Sequence, residues 1–535
     1  MMKRFLTALC LVWNLLADTA FAADFSDLVI LHTNDTHGHD QRSAEDGING
    51  MAAVAAMKKD CEAQGCHVLL LDAGDAIHDH ALVNLSKGAT AIQFMNAAGY
   101  DAMTLGNHEF IYGQEVTLQR VSEATFPVVS CNVLVDATGA TLVPPSVILK
   151  RGAHKIGIVG ITTPDAAMDI SPLNVKGLRF LRGLPLYDAV QAQVSQMKKD
   201  GCDIIIALGH VGSFEDSERS EDVLAHVRGI DIFIDGHDHR VKNCYVHGAL
   251  LAETGLCTRN IGRIAWKDGK WQEELVPFAE TNREDSKVKA LIDKVAADVD
   301  AELGQPVGRS SFALDATRNP GVRTMEMNSG DFLADAFLWQ AQQAMAMDGV
   351  NVDAAIANGG NIRATISEGT ITLGDIAKAS PLNDMLYVMT LKGKDLLELI
   401  EAATCTVPKG VFPFPQVAGM KYTVDARVPY EKGHRYPGNA YYCAPAKPGA
   451  RVTIIEVGGE PFSLEKTYRI AASELVVHGG SAYGHAAEPG AIDSAISIGC
   501  GDRDAVANYL REKLGGVVPD IYRAPQGRIT ILQPS

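Results

Sequence analysis

The sequence predicts a layered α/β fold in two or more domains. Three observations predict it. A chain of 535 residues is too long for one ordinary core. From residue 24 to about 280, apolar β-runs alternate with helical patterns, as in a layered α/β domain. A run with apolar residues at helical spacing, Ser286 to Leu303, comes next.

The N-terminus comes first in order. Lys3 and Arg4 form a basic region, Phe5 to Trp13 most of an apolar one, and Ala20-Phe21-Ala22 a small-residue cleavage site. This pattern is an export signal over residues 1–22. A membrane anchor is excluded because the apolar run is short and broken by Asn14 and Asp18. Cys10 follows Leu9, which does not suit a lipidated cysteine. No later segment is long and apolar enough to span a bilayer. Nine cysteines remain after cleavage, and export makes disulfides available to them. Cys61 with Cys66, Cys244 with Cys257 and, more weakly, Cys405 with Cys443 are the candidate pairs, and the odd count leaves one thiol over. Hydrophobic content of 47% describes a soluble globular protein. The formal charge of −17 excludes broad attraction to a nucleic acid polymer but leaves room for a small anionic substrate.

The first half carries the chemistry. Five apolar stretches read as strands: Leu28–Leu31, Val68–Leu71, Ala102–Leu105, Ile204–Leu208 and Ile230–Ile234. Each is followed by a motif, in order Asp35-x-His37, Gly74-Asp75, Gly106-Asn107-His108-Glu109, Gly209-His210 and Gly236-His237-Asp238-His239. Side chains at the C-terminal ends of strands in one sheet converge on one edge, where α/β folds place their sites. Asp35, His37, Asp75, Asn107, His210, His237 and His239 then offer three oxygen donors and four imidazoles. Any one of these histidines alone reads as a satisfied core or surface residue; the ordered set reads as a two-metal centre. Mixed nitrogen and oxygen donors suit Zn, Mn, Co or Fe, and suit Mg or Ca alone poorly. Asp75 is the carboxylate best placed to bridge two ions. A pair of ions stabilises the attacking and leaving oxygens of a phosphoryl displacement and activates water near neutral pH.

At this point the chain resembles the calcineurin-like metallophosphoesterases, and within them the secreted bacterial 5′-nucleotidases. The wider contexts Ile30-Leu31-His32-Thr33-Asn34-Asp35-Thr36-His37 and Leu71-Asp72-Ala73-Gly74-Asp75 carry that resemblance, which runs from about residue 27 to the C-terminus. It implies a calcineurin-like layered sandwich over 24–280. It implies that Asp35, His37, Asp75 and His239 hold one ion and Asp75, Asn107, His210 and His237 the other. It implies that His108 sits beside the transferred phosphoryl group as the catalytic histidine.

The helical run follows. Asn282-Arg283-Glu284-Asp285 before it and Gly304 after it are start and stop signals. Composition alone also fits a surface helix of the first domain; the resemblance makes it an interdomain helix over 281–304. The remaining half, 305–535, resembles the substrate-binding domain of 5′-nucleotidases. Its markers are Glu326-Met327-Asn328-Ser329-Gly330-Asp331 and Asn358-Gly359-Gly360-Asn361-Ile362-Arg363. Paired glycines admit an anion close to the backbone, and arginine grips phosphate bidentately. By that resemblance Arg323, Asn358 and Arg363 hold the substrate. The Pro-, Tyr- and Gly-rich segment 428–449 reads as an exposed loop whose tyrosines pack on its own surface.

Three positions depart from the family. Many 5′-nucleotidases place an Asp three residues after the catalytic His to orient it; here Ile111 stands there. The two aromatic rings that stack the base align with Leu382 and Leu475, and Ser481 stands where the family has Asp. Phe412, Phe414 and Tyr483 are aromatics available as replacements. The loop after Asp75 reads Ala76-Ile77-His78-Asp79-His80 and offers a substitute partner for His108, an extra ligand, or simply a polar surface loop.

The sequence thus implies an exported, metal-dependent phosphoesterase acting on a small organic phosphate, nucleoside 5′-monophosphates first. The alternatives are a 2′,3′-cyclic-nucleotide or other phosphodiesterase, a sulfur-compound hydrolase on the same centre, or a secreted metal-binding surface protein with decayed catalysis. The oligomeric state is open.

Overall fold

The structure, a computed structural model, describes residues 24–166, 170, 174–214, 217–346, 349–436 and 441–533. The export signal read at 1–22 lies outside the described residues. Among those residues, no helix is long and apolar enough to cross a membrane.

Residues 28–277 build two six-stranded sheets. The first runs Lys270–Pro277, Asn260–Lys267, Leu28–Thr33, His67–Asp72, Ala102–Thr104, Val128–Val129. The second runs Val241–Val246, Ala249–Thr254, Ile232–Ile234, Ile204–His210, His154–Thr162, Ser146–Arg151. The ligand-bearing strands of the first sheet are parallel: Thr33 pairs with Asp72 and Asp72 with Met103. Ile204–His210 and Ile232–Ile234 are parallel in the second, with Leu208 beside Ile234.

Period-two alternation decides the layers. Leu28, Ile30, Leu69 and Leu71 face Ile156, Ile158, Ile204, Ile206, Ile232 and Ile234 across the space between the sheets. The alternate residues Val29, Leu31, Val68 and Leu70 face outward onto the helix Met51–Ala63 and its neighbours. Ile205 and Phe233 do the same in the second sheet, against the helix Leu184–Lys199. Both faces of each central strand are therefore buried, which is why these strands read as continuous apolar runs.

The helix Ser286–Leu303 begins at Asp285, whose carboxylate accepts from the amides of Lys287 and Val288. Val288, Ile292 and Ala296 bury into the outer core of the first sheet. Its far end reaches the second half, where Leu373 N donates to the Gln305 carbonyl at 3.0 Å. So the helix packs as a layer of the first half and touches the second at its far end.

The second half centres on a five-stranded sheet, ordered Pro415–Ala418, Ala354–Asn358, Thr467–Ser473, Met385–Lys392, Ser494–Gly501. The helix Asn328–Met345 covers one face and Gly393–Ala403 the other.

The expected disulfides do not form: all nine cysteines among the described residues are free thiols. Cys61 is buried on the apolar face of its helix, while Cys66 lies past the turn and only its amide reaches Cys61, at the carbonyl. Cys257 is buried beside the Asp35 loop, and Cys244 is exposed on an edge strand.

Candidate metal centre and substrate cavity

All seven candidate ligands lie at or just beyond the C-terminal ends of the five strands. Five of them leave the strand in the left-handed backbone region: Asp35 (φ 48°), His37 (47°), Asp75 (59°), His237 (88°) and His239 (60°). That conformation costs a non-glycine residue on the order of 1 kcal/mol, and its concentration here marks a site held against local preference.

The donor atoms converge. His37 Nε2 lies 3.1 Å from His239 Nε2, and His239 Nε2 lies 3.4 Å from Asp35 Oδ1. On the other side, His210 Nε2 is 3.2 Å from Asp75 Oδ2 and 3.2 Å from Asn107 Oδ1. Asp75 Oδ2 is also 3.9 Å from His37 Nε2, so one carboxylate faces both groups. Donors held about 2.1 Å from a tetrahedral ion sit roughly 3.4 Å apart, and these spacings match. His237 is half-buried, with its ring 5.1 Å from that of His210.

Supporting bonds orient the donors. His210 Nδ1 donates to the Ala73 carbonyl at 2.7 Å, which leaves Nε2 as the free lone pair. Asn34 donates to Asp35 Oδ2 at 2.7 Å. Glu109 is not in the donor set. Its carboxylate accepts from the amides of Asp75, Ala76 and Gly106 and ties the second and third motifs together. The field is tuned for positive charge. Burial opposes ionisation of Asp75, yet His210, His108 and His37 hold it well below the usual carboxylate range. Burial likewise opposes charge on His210, yet Asp75 and Asp35 raise it well above an ordinary histidine.

His108 has found a partner other than residue 111. Its Nδ1 is 2.8 Å from His78 Nδ1, and its Nε2 points to the donor cluster, 4.0 Å from Asp75 Oδ2. Burial lowers His78 to about 3, so it is a neutral imidazole. Asp79 lies 3.3 Å from the same His78 nitrogen and 3.2 Å from His37 Nδ1. Ile111 packs against the first-half core.

A cavity of about 570 Å³ opens between the cluster and the second half. His37, Asn107, His108 and His239 wall one side, and Asn361, Arg363 and Phe412 another. The guanidinium carbons of Arg323 and Arg363 sit 5.4 and 5.7 Å from the Phe412 ring centre, and the buried Nε of each lacks a partner. Burial and the charge of Arg318 lower both. Asn358 is placed differently: it accepts from Gly360 N and donates to Asn361 Oδ1, bracing the loop while Asn361 faces the cavity.

Leu382, Leu475 and Ser481 all line the cavity. Of the alternative aromatics only Phe412 reaches it. Phe414 is in the core, and Tyr483 is buried with its hydroxyl donating to the Pro413 carbonyl. The expectation for segment 428–449 is corrected, because Tyr441 and Tyr442 line the cavity, and Tyr441 meets Ser217 of the first half at 3.0 Å. Arg318 and the two tyrosines escape sequence reasoning because nothing in their local pattern separates them from surface residues.

The family profile for calcineurin-like phosphoesterases matches residues 28–241, and that for the 5′-nucleotidase C-terminal domain matches residues 306–488. The chain is 30% identical over 511 residues to the trifunctional nucleotide phosphoesterase protein YfkN of Bacillus subtilis, covering 85% of this chain but only 32% of that protein. It is 27% identical to a snake venom 5′-nucleotidase of Gloydius brevicauda, across 97% of this chain and 91% of the relative. Among solved structures, a 5′-nucleotidase precursor from Thermus thermophilus superposes with a TM-score of 0.67 at 26% identity, over 95% of this chain and 100% of that one.

Proposed function

Because the chain belongs to the 5′-nucleotidase family, with a calcineurin-like phosphoesterase domain and a 5′-nucleotidase C-terminal domain, we propose that it hydrolyses nucleoside 5′-monophosphates or related small organic phosphates. The carrying observation is the juxtaposition across one cavity of the histidine–carboxylate cluster and Arg363, whose buried Nε lacks a partner. The cluster suits two divalent ions, drawn from Mn, Zn, Co or Fe; Asp35, His37, Asp75 and His239 would hold one, and Asp75, Asn107, His210 and His237 the other. Bound there, such ions would neutralise phosphoryl charge and activate water.

The chain's own groups do the rest. Arg363 and Arg323 grip the phosphoryl oxygens by charge-assisted hydrogen bonds. Neutral His78 donates its Nδ1 proton to His108 Nδ1, which places the His108 proton on Nε2, facing the phosphoryl group. His108 then donates to an equatorial oxygen as charge builds. Asp79, 3.2 Å from His37 Nδ1, places a carboxylate charge beside that ring. The division into a metallophosphoesterase domain (24–280), linker (281–304) and substrate-binding domain (305–535) belongs to this proposal, as does export through residues 1–22.

A second reading, hydrolysis of a cyclic or other phosphodiester, is favoured by Ile111 in place of the dyad carboxylate and by leucines at the base-stacking positions. The test is a panel. Nucleoside monophosphates, cyclic nucleotides, UDP-sugars and pyrophosphate are offered to protein reconstituted with Mn, Zn or Co. Phosphate release from monoesters, or ring opening of cyclic nucleotides, separates the readings. Fully metal-loaded protein inert on every substrate defeats both.

A further inference from the structure

The cavity is chemically lopsided. Arg363, imidazoles and Asp79 wall it where the phosphoryl group goes, while two further carboxyls, Asp384 and Glu474, face it elsewhere. They sit beside the leucines that depart from the aromatic pattern: Asp384 two residues after Leu382, and Glu474 immediately before Leu475. Asp384 Oδ2 accepts from Asn361 Nδ2 at 3.1 Å. Among the described residues, no lysine, arginine or histidine stands among the groups that act on either carboxyl. Burial raises Asp384 to about 6; burial and the nearby Asp384 charge raise Glu474 to about 7, with the Asn174 amide opposing. Behind Asp384 stands a third carboxyl, the buried Asp502, whose amide donates to the Asp384 carbonyl at 2.8 Å.

A half-buried pair of carboxyls without a cation is costly, and a ligand that brings N–H donors relieves that cost. With leucines at the two positions where the aromatic pattern would place rings, the acidic end fits a donor-bearing group. We propose that Asp384 and Glu474 select substrates whose leaving group ends in nitrogen N–H donors. An alkylammonium and the donor edge of a guanine share this chemistry. The inference rests on the phosphoesterase reading for its turnover assay, and its binding arm does not.

The experiment uses full-length, metal-loaded protein and matched pairs: aminohexyl phosphate against hexyl phosphate, and guanosine against inosine 5′-monophosphate. A site with buried polar groups rejects an analogue lacking their partner, so the donor-bearing member of at least one pair should lead in kcat/KM by about tenfold or more. Which pair responds tells an ammonium from a planar edge. Asp384→Asn with Glu474→Gln should collapse that ratio to near one with metal content unchanged; Glu474→Gln alone, at a half-exposed position, is the variant if the double one misfolds. Equal kcat/KM within both pairs, or a ratio that survives the substitutions, overturns the inference. If no phosphate ester is hydrolysed at all, the phosphoesterase reading fails, and calorimetry on the same pairs still decides this one. Tighter binding of a donor-bearing member sustains it, and equal binding within both pairs overturns it.

Discussion

At the scale of single residues, Asp75 carries the most weight. Its carboxylate faces His210 and His37 together, so Asp75→Ala should weaken binding of at least one ion by about 100-fold or more and abolish most turnover. Metal content by mass spectrometry after reconstitution checks it; full occupancy with parental rate would remove the two-metal arrangement. The His108 partner makes a second test. With His78 holding the His108 tautomer and Asp79 beside both His78 and His37, Asp79→Asn should slow hydrolysis by about tenfold. An alkyl ester should suffer more than an aryl phosphate, whose leaving oxygen needs less help. Ile111→Asp should give no gain, because residue 111 packs against the core and His78 already occupies His108 Nδ1. A rate increase from Ile111→Asp would show His108 to be unsupported in the parent. The candidate donors were legible as a set because each follows an apolar run. The His78–His108 contact was not, since 2.8 Å between rings thirty residues apart is set by how two loops fold over one strand edge.

Among the elements, the helix Ser286–Leu303 fastens both halves. Ile292 is 2% exposed in the outer core of the first sheet, so Ile292→Ala should cost roughly 2–5 kcal/mol. Asp285→Ala, losing the cap, should cost about 1 kcal/mol. Denaturant melts with both variants test the order; equal effects would mean the helix is held by its end rather than its face. The segment Ser481–Ala487 adds a pH dependence. Burial pulls His485 down, but hydrogen bonds to Glu398, Asp395 and Glu488 outweigh it and raise it to about 9. A histidine raised in the folded state stabilises fully below its unfolded pKa near 6.5 and loses that contribution as pH climbs through 9. Thermal stability should therefore fall between these values, and His485→Gln should flatten the slope. Layer order was legible at this scale because strands buried on both faces read as unbroken apolar runs. The placing of Tyr441 and Tyr442 was not, because a polar, Gly- and Pro-rich segment has no periodicity to say which way it turns.

For the whole molecule, ions that bind only the folded chain add to its stability. Stripping them with a chelator should lower Tm, and ion at 100 times its Kd should restore about 2.7 kcal/mol. A chelator-insensitive Tm in protein shown to lose its metal would contradict a preassembled cluster. The chain also lacks any covalent staple among its described residues, since all nine thiols are unpaired. Folding then needs no oxidant, so the protein can be made in a reducing cytosol and refolded without a thiol exchange couple. It also leaves a handle. Cys244 is the one exposed thiol among the described residues, standing on the edge strand Val241–Val246 at the border of the second sheet. A maleimide dye should attach there first, ahead of the five half-buried thiols, giving a fluorescent reporter of the fold without an introduced cysteine.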